Sequence, residues 1–122
     1  MNWEEEYKRK LVTAEEAVNA VKPGDKVAFG FPRQPTALTA ALAARREELN
    51  DIELLAENPR IDDGWLEPGK KEAFKVTMEH FIGAIMRKWT DQKKADYLPI
   101  VFSLEPKPYR ERSSEAKKLS EN

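Results

Sequence analysis

The sequence predicts an α/β fold: a small, mostly parallel sheet of about four strands with flanking helices. Three observations predict it. Segments with helical spacing of apolar residues alternate with short β-rich runs. Proline and glycine clusters such as Lys22-Pro23-Gly24-Asp25 separate them. The links between unlike segments are short, with only Asn50 and Asp51 between a helical run and the strand-like Ile52-Glu53-Leu54-Leu55-Ala56. Such alternation builds βαβ units, whose strands are parallel and whose crossovers are right-handed.

The elements follow in order. Trp3, Tyr7 and Leu11 recur every fourth residue and define a first helix over 3–11. Glu4–Lys8, Glu5–Arg9 and Glu6–Lys10 stand at i,i+4 in the favourable orientation, worth about 0.2–0.5 kcal/mol each. Thr13 with Glu16 forms a capping box for a second helix, which directs Ala17, Val18 and Val21 inward. Lys26-Val27-Ala28-Phe29-Gly30 is the first strand. Pro35 suits the first turn of a helix over 36–49, where its missing N–H costs nothing. Leu38, Ala41, Leu42 and Leu49 form the inward face of that helix. The strand at 52–56 then completes one βαβ unit. A polar stretch, 57–72, is punctuated by Pro59, Gly64, Pro68 and Gly69 and reads as a long loop. Phe74-Lys75-Val76-Thr77-Met78 is the third strand. Ile82, Ile85, Met86 and Trp89 mark a core- or interface-facing helix. Tyr97-Leu98-Pro99-Ile100-Val101-Phe102 is the fourth strand, with its proline near the start, where the ladder tolerates it. Residues 1–104 thus form the α/β domain. Residues 105–122 carry nine charges and only Tyr109, Ala116 and Leu119 as apolar residues, and are expected to be a disordered tail.

Composition narrows the function. Leu, Ile, Val and Phe together make 26 of 122 residues, just above the roughly 20% below which chains tend to stay disordered. The core is thin for a domain that stands alone, and weak stability of the isolated monomer is expected. Twenty-one basic and 22 acidic residues nearly cancel, which argues against a nucleic-acid partner held by charge. The absence of cysteine excludes disulfides, thiol nucleophiles and thiolate metal sites, and the single histidine, His80, excludes a His-pair metal site. No apolar run approaches the roughly 18 residues of a membrane span. The acidic start is unlike a signal peptide, so a cytoplasmic location without membrane attachment is expected.

Ligands of open parallel sheets bind at the carboxyl ends of strands. The candidate ligand-binding segment is therefore Gly30-Phe31-Pro32-Arg33-Gln34-Pro35, between the first strand and the next helix. Gly30 permits close approach of a ligand or a backbone, the helix start offers free N–H groups, and Arg33 adds a cation. An ordinary strand-to-helix turn explains the same residues equally well. Glu57 ends the second strand, but nothing nearby in sequence would tune it, so it reads as a loop acid. Asp62-Asp63-Gly64 reads as a turn rather than a calcium loop. Trp65 reads as the anchor of its loop, and His80 as a surface or capping residue. No residue is assigned to catalysis or to a metal.

Several ordered pieces resemble one family. Trp3, Tyr7 and Lys10-Leu11-Val12-Thr13-Ala14-Glu15-Glu16-Ala17-Val18, then Val21-Lys22-Pro23-Gly24-Asp25-Lys26-Val27, resemble the opening of the acetyl-CoA hydrolase/transferase family, which includes acetate and 4-hydroxybutyrate CoA-transferases. The likeness continues through Gly30, Pro35, Leu38, Ala41 and Leu42, then Gly64-Trp65, Pro68-Gly69 and Ala95-Asp96-Tyr97-Leu98-Pro99-Ile100. The resemblance implies two related α/β domains and a ping-pong reaction. In it a glutamate takes CoA from an acyl-CoA and passes it to a carboxylate. It implies no covalently bound cofactor, with a coenzyme A thioester as substrate of the assembled enzyme. It also implies that the nucleophilic glutamate lies in a second domain with no counterpart among these residues. The expected role is an N-terminal segment or small subunit. It would line the acyl-CoA or carboxylate pocket and dock onto a catalytic half, or onto further copies of itself. The alternatives are a non-catalytic CoA- or organic-acid-binding regulatory module and a truncated remnant.

Overall fold

A computed structural model of the chain describes residues 2–30, 33–79, 83–104, 106–107 and 110–111. Helix α1 spans Trp3–Lys10 and α2 spans Ala14–Val18. Strand β1 is Lys26–Phe29, α3 is Thr36–Ala44, β2 is Ile52–Ala56 and β3 is Phe74–Glu79. Helix α4 covers Ala84–Asp91, β4 covers Ala95–Leu98, and a 3-10 turn covers Phe102–Leu104. The strands form one sheet in the order β1-β2-β3-β4, and every pairing is parallel. The expected α/β architecture is the one observed.

Register explains the core. Val27, Leu54, Val76 and Ala95 lie in one row across the sheet, and Phe29, Ala56, Met78 and Tyr97 in a second. Strand side chains alternate between faces, so both rows share a face. Leu42 and Ala43 of α3, Met86 and Trp89 of α4, and Trp65 of the long loop join Leu54, Val76 and Met78 of these rows in a single buried cluster, with Val27, Phe29, Ala95 and Tyr97 half-buried against it. The opposite face carries the charged row Lys26–Glu53–Lys75, in which Lys26 pairs with Glu53 at 2.9 Å. Lys75 also pairs with Asp51. That contact lowers the Asp51 carboxyl below its ordinary range and raises the Lys75 ammonium.

Local chemistry sets the element ends. Thr13 and Glu16 make the expected capping box: the hydroxyl accepts from the Glu16 N–H at 3.2 Å, and the carboxylate accepts from the Thr13 N–H at 3.1 Å. The Arg45 guanidinium donates to the carbonyls of Val18 and Val21 and so closes the far end of α2. Helix α4 ends in a Schellman motif: the Lys93 N–H donates to the Thr90 carbonyl and the Lys94 N–H to that of Trp89, both at 2.9 Å. Lys93 holds the left-handed backbone of this motif at φ 54°, which costs a non-glycine residue about 1 kcal/mol.

Several expectations need correction. In α1, Glu4–Lys8 and Glu6–Lys10 form, but Arg9 pairs with Glu6 one turn away rather than with Glu5, because Glu6 holds both cations. Helix α3 stops at Ala44 instead of running to 49, and turns cover 45–48. Its phase also differs: Leu38 is exposed and Thr39 is fully buried. Strand β4 begins at Ala95 and ends at Leu98, so Pro99 follows the strand rather than opening it. A proline has no N–H for the ladder, and Val101 and Phe102 beyond it are exposed. In keeping with the thin core, the apolar stripe of α1 finds no cover among the described residues, with Trp3 74%, Tyr7 64% and Leu11 62% exposed. The expected tail is a different matter: only positions 106–107 and 110–111 of it are described, with helical backbone, and the rest lies outside the described residues.

Candidate functional site

The carboxyl ends of β1 and β2 bring Gly30, Gln34, Glu57, Asn58 and Pro59 around one groove, floored by Phe29 and Ala56. The Glu57 N–H donates to the Phe29 carbonyl at 3.4 Å, which extends the β1–β2 ladder by one step. Glu57 is 7% exposed, and Glu79, at the end of β3, is 2% exposed. Two buried carboxylates therefore sit at neighbouring strand ends. A Cβ built on Gly30 would meet nothing within 4 Å, so no packing contact among the described residues demands a glycine there. The groove has a volume of only about 10 Å³, about one water molecule. Among the described residues it is a narrow seam.

Gln34 has an unforeseen task. Its amide nitrogen lies 3.1 Å from Thr39 Oγ1, 3.2 Å from the Ile61 carbonyl and 2.6 Å from Asp63 Oδ2, and donates among these acceptors. Its amide oxygen accepts from the N–H groups of Arg60 and Ile61 at 3.0 and 3.1 Å. A single side chain thereby latches the start of the long loop to α3. Arg33 and Pro35 are exposed, and Phe31, Pro32 and His80 lie outside the described residues. Sequence spacing offered no sign of the latch, because its partners in the loop lie 26–29 residues away.

The long loop 57–73 replaces the helix that usually crosses between parallel strands. Trp65 anchors it as expected. The indole is 2% exposed, stacks on Phe29 at 5.5 Å between ring centroids, meets Trp89 at 6.1 Å, and donates its N–H to the Thr39 carbonyl at 3.3 Å. Asp62 Oδ1 accepts from the Gly64 N–H at 2.9 Å, and Gly64 takes φ 80°, which makes this acidic stretch a turn. Arg46, 8% exposed, donates to the Gly64 carbonyl and holds the same turn from α3's side. Among the described residues no group of three or more His, Asp and Glu is placed to hold a metal ion. No helix among them is long and apolar enough to cross a membrane.

Comparison with known proteins places this geometry. Residues 1–118 match the model of the acetyl-CoA hydrolase/transferase N-terminal domain. The chain is 35% identical to butyryl-CoA:acetate CoA-transferase of Anaerostipes caccae, over 90% of this chain and 25% of that protein. It is 29% identical to 4-hydroxybutyrate coenzyme A transferase of Clostridium kluyveri, over 92% of this chain and 26% of that protein. Among solved structures, RipA from Yersinia pestis superimposes with a TM-score of 0.68 at 26% identity, covering 87% of this chain and 27% of RipA. The chain spans about a quarter of the length of the curated relatives it matches. With a family match across nearly every residue and a solved structure of similar fold, the chain belongs to the acetyl-CoA hydrolase/transferase family, through its N-terminal domain.

Proposed function

We propose that this chain is the N-terminal segment or small subunit of a CoA-transferase or acyl-CoA hydrolase. It contributes a wall of the acyl-CoA or carboxylate pocket and docks onto a catalytic half that carries the glutamate nucleophile. The observation that carries this reading is the pairing of an N-terminal-domain match over 1–118 with a strand-end seam of about 10 Å³. A seam this small becomes a substrate pocket only when a second body builds the facing wall. Gly30 supports the reading, since its free space lies where an acyl chain or a neighbouring backbone would approach. Arg33 is exposed beside it and supplies a cation for a carboxylate or phosphate. Phe31 and Pro32 belong to the same proposed segment by sequence. In this reading Gln34 acts indirectly, by fixing the loop that borders the pocket. The substrates are an acyl-CoA and a small carboxylate, with CoA carried as the thioester and no other cofactor. Glu57 and Glu79 take no nucleophilic role.

The test is an acyl-CoA/carboxylate exchange assay in three arms: the chain alone, the remaining three quarters of the Anaerostipes caccae relative alone, and the two mixed. Exchange only in the mixed arm is the expected result. Turnover by the chain alone overturns the assignment of the nucleophile to another body. Tight CoA binding by the chain alone, without exchange in any arm, favours a non-catalytic CoA-binding module.

A further inference from the structure

A second recess lies at the other end of the sheet. The segment 66–72 and the amino ends of β3 and β4 enclose a cleft of about 370 Å³, within the range of small-ligand sites. Its lining holds Lys70, Lys71, Lys75, Lys93 and Lys94. Three carboxylates, Glu67, Glu72 and Asp96, share the lining and leave an excess of positive charge. Two of the lysines are already engaged: Lys71 Nζ donates to the Glu47 carbonyl at 2.9 Å, and Lys75 pairs with Asp51. Lys70, Lys93 and Lys94 are exposed and carry no ion pair among the described residues. Trp65, Phe74 and Val76 in the same lining are buried and apolar.

The conformation of Lys93 is a separate observation. It occupies the left-handed position of the Schellman motif, where glycine is the unstrained residue. The chain therefore carries an ammonium at the one place on this helix end where any side chain is disfavoured.

We propose that this cleft is a binding site for a multiply charged phosphate group, held by Lys70, Lys93 and Lys94. The source is either a free inorganic phosphate chain or the phosphate end of a nucleotide. The inference does not depend on the CoA reading, because the cleft and the Gly30 seam lie at opposite ends of the strands.

The test is titration of the full 122-residue chain with inorganic pyrophosphate and, separately, with ADP, followed by calorimetry and by amide chemical shifts. Binding that weakens with added salt and moves the amides of residues 70–72 and 93–96 is expected. The triple variant Lys70→Gln/Lys93→Gly/Lys94→Gln should lose at least about tenfold in affinity for pyrophosphate. The single variant Lys93→Gly separates the roles of that side chain. Relief of the left-handed backbone should raise its unfolding midpoint while pyrophosphate affinity falls. A lysine that merely closes the helix would give the first change without the second. Equal affinity for the two ligands assigns the site to free phosphate, and tighter ADP assigns it to a nucleotide. No pyrophosphate binding, affinity unchanged in the triple variant, or shifts confined to residues 29–34 and 57–59 would overturn the proposal.

Discussion

Replacement of Trp65 tests whether the long loop is an integral part of the core. Its indole is 2% exposed, touches two aromatic rings and donates to the Thr39 carbonyl. A buried tryptophan removes about 150–250 Å² from water, which at about 25 cal/mol/Å² gives about 4–6 kcal/mol for burial. Collapse of the loop onto the vacated space recovers part of this, so Trp65→Ala should cost about 3–5 kcal/mol. Domains of this size are stable by about 5–15 kcal/mol, and a thin core belongs at the low end. Trp65→Ala should therefore leave the chain close to its unfolding midpoint at room temperature. Trp65→Phe retains a ring against Phe29 and Trp89 and loses the N–H donor, for about 1–2 kcal/mol. Urea unfolding followed by far-UV circular dichroism measures both. A Trp65→Ala cost below about 1.5 kcal/mol would refute the reasoning, because the loop would then be a surface appendage rather than the substitute for a crossover helix.

Other expectations follow from the same contacts. Gln34→Leu releases the Arg60 and Ile61 amides, so hydrogen exchange at residues 60–63 should quicken by about tenfold or more while exchange in β2 and β3 is unchanged; uniform change across the sheet would show a global effect instead. Asp51, with its carboxyl lowered by Lys75, stabilises the fold fully above the ordinary carboxylate range and loses that contribution as pH falls through its depressed value. Asp51→Asn should thus flatten the acid side of the stability profile, and an unaltered acid limb would show that the pair contributes nothing. Trp3→Ser with Tyr7→Ser removes only exposed side chains and should change stability by less than about 0.5 kcal/mol, while reducing self-association seen by light scattering. Thermal unfolding of the isolated chain should occur below about 65 °C, the top of the usual range for mesophilic domains.

Most of the fold was legible because strong local signals agreed with the tertiary outcome. The Thr13–Glu16 box, the Pro23-Gly24 turn and the compact apolar runs of β1, β2 and β3 are each specified within a few residues. Helix α3 was read in the wrong phase for a physical reason. Its sequence, TALTAALAA, is mostly alanine, which is indifferent to burial, so polarity alone favoured Leu38 over Thr39. Thr39 is inward because its hydroxyl and carbonyl serve Gln34 and Trp65, partners that only the folded loop brings near. The strand-end segment was identifiable as a place by Gly30 and Pro35. The work of Gln34 was not, since it depends on contacts across the loop. The adjacent lysine pairs 70–71 and 93–94 were visible in sequence, but only the fold joins them at one cleft.

The order of the strands bears on how any ligand could be enclosed. In doubly wound sheets a crevice opens where the strand order reverses and neighbouring connections leave toward opposite faces. Here the order follows the chain, and α3, the long loop and α4 all return across the same face. The described strands wind in one direction only, so adjacent connections close against each other and no switch point exists among them. The seam beside Gly30 is the direct geometric result. Under the proposed function, enclosing a substrate at the strand ends is a matter of assembly, because the winding supplies one bank of a channel and leaves the other to be built.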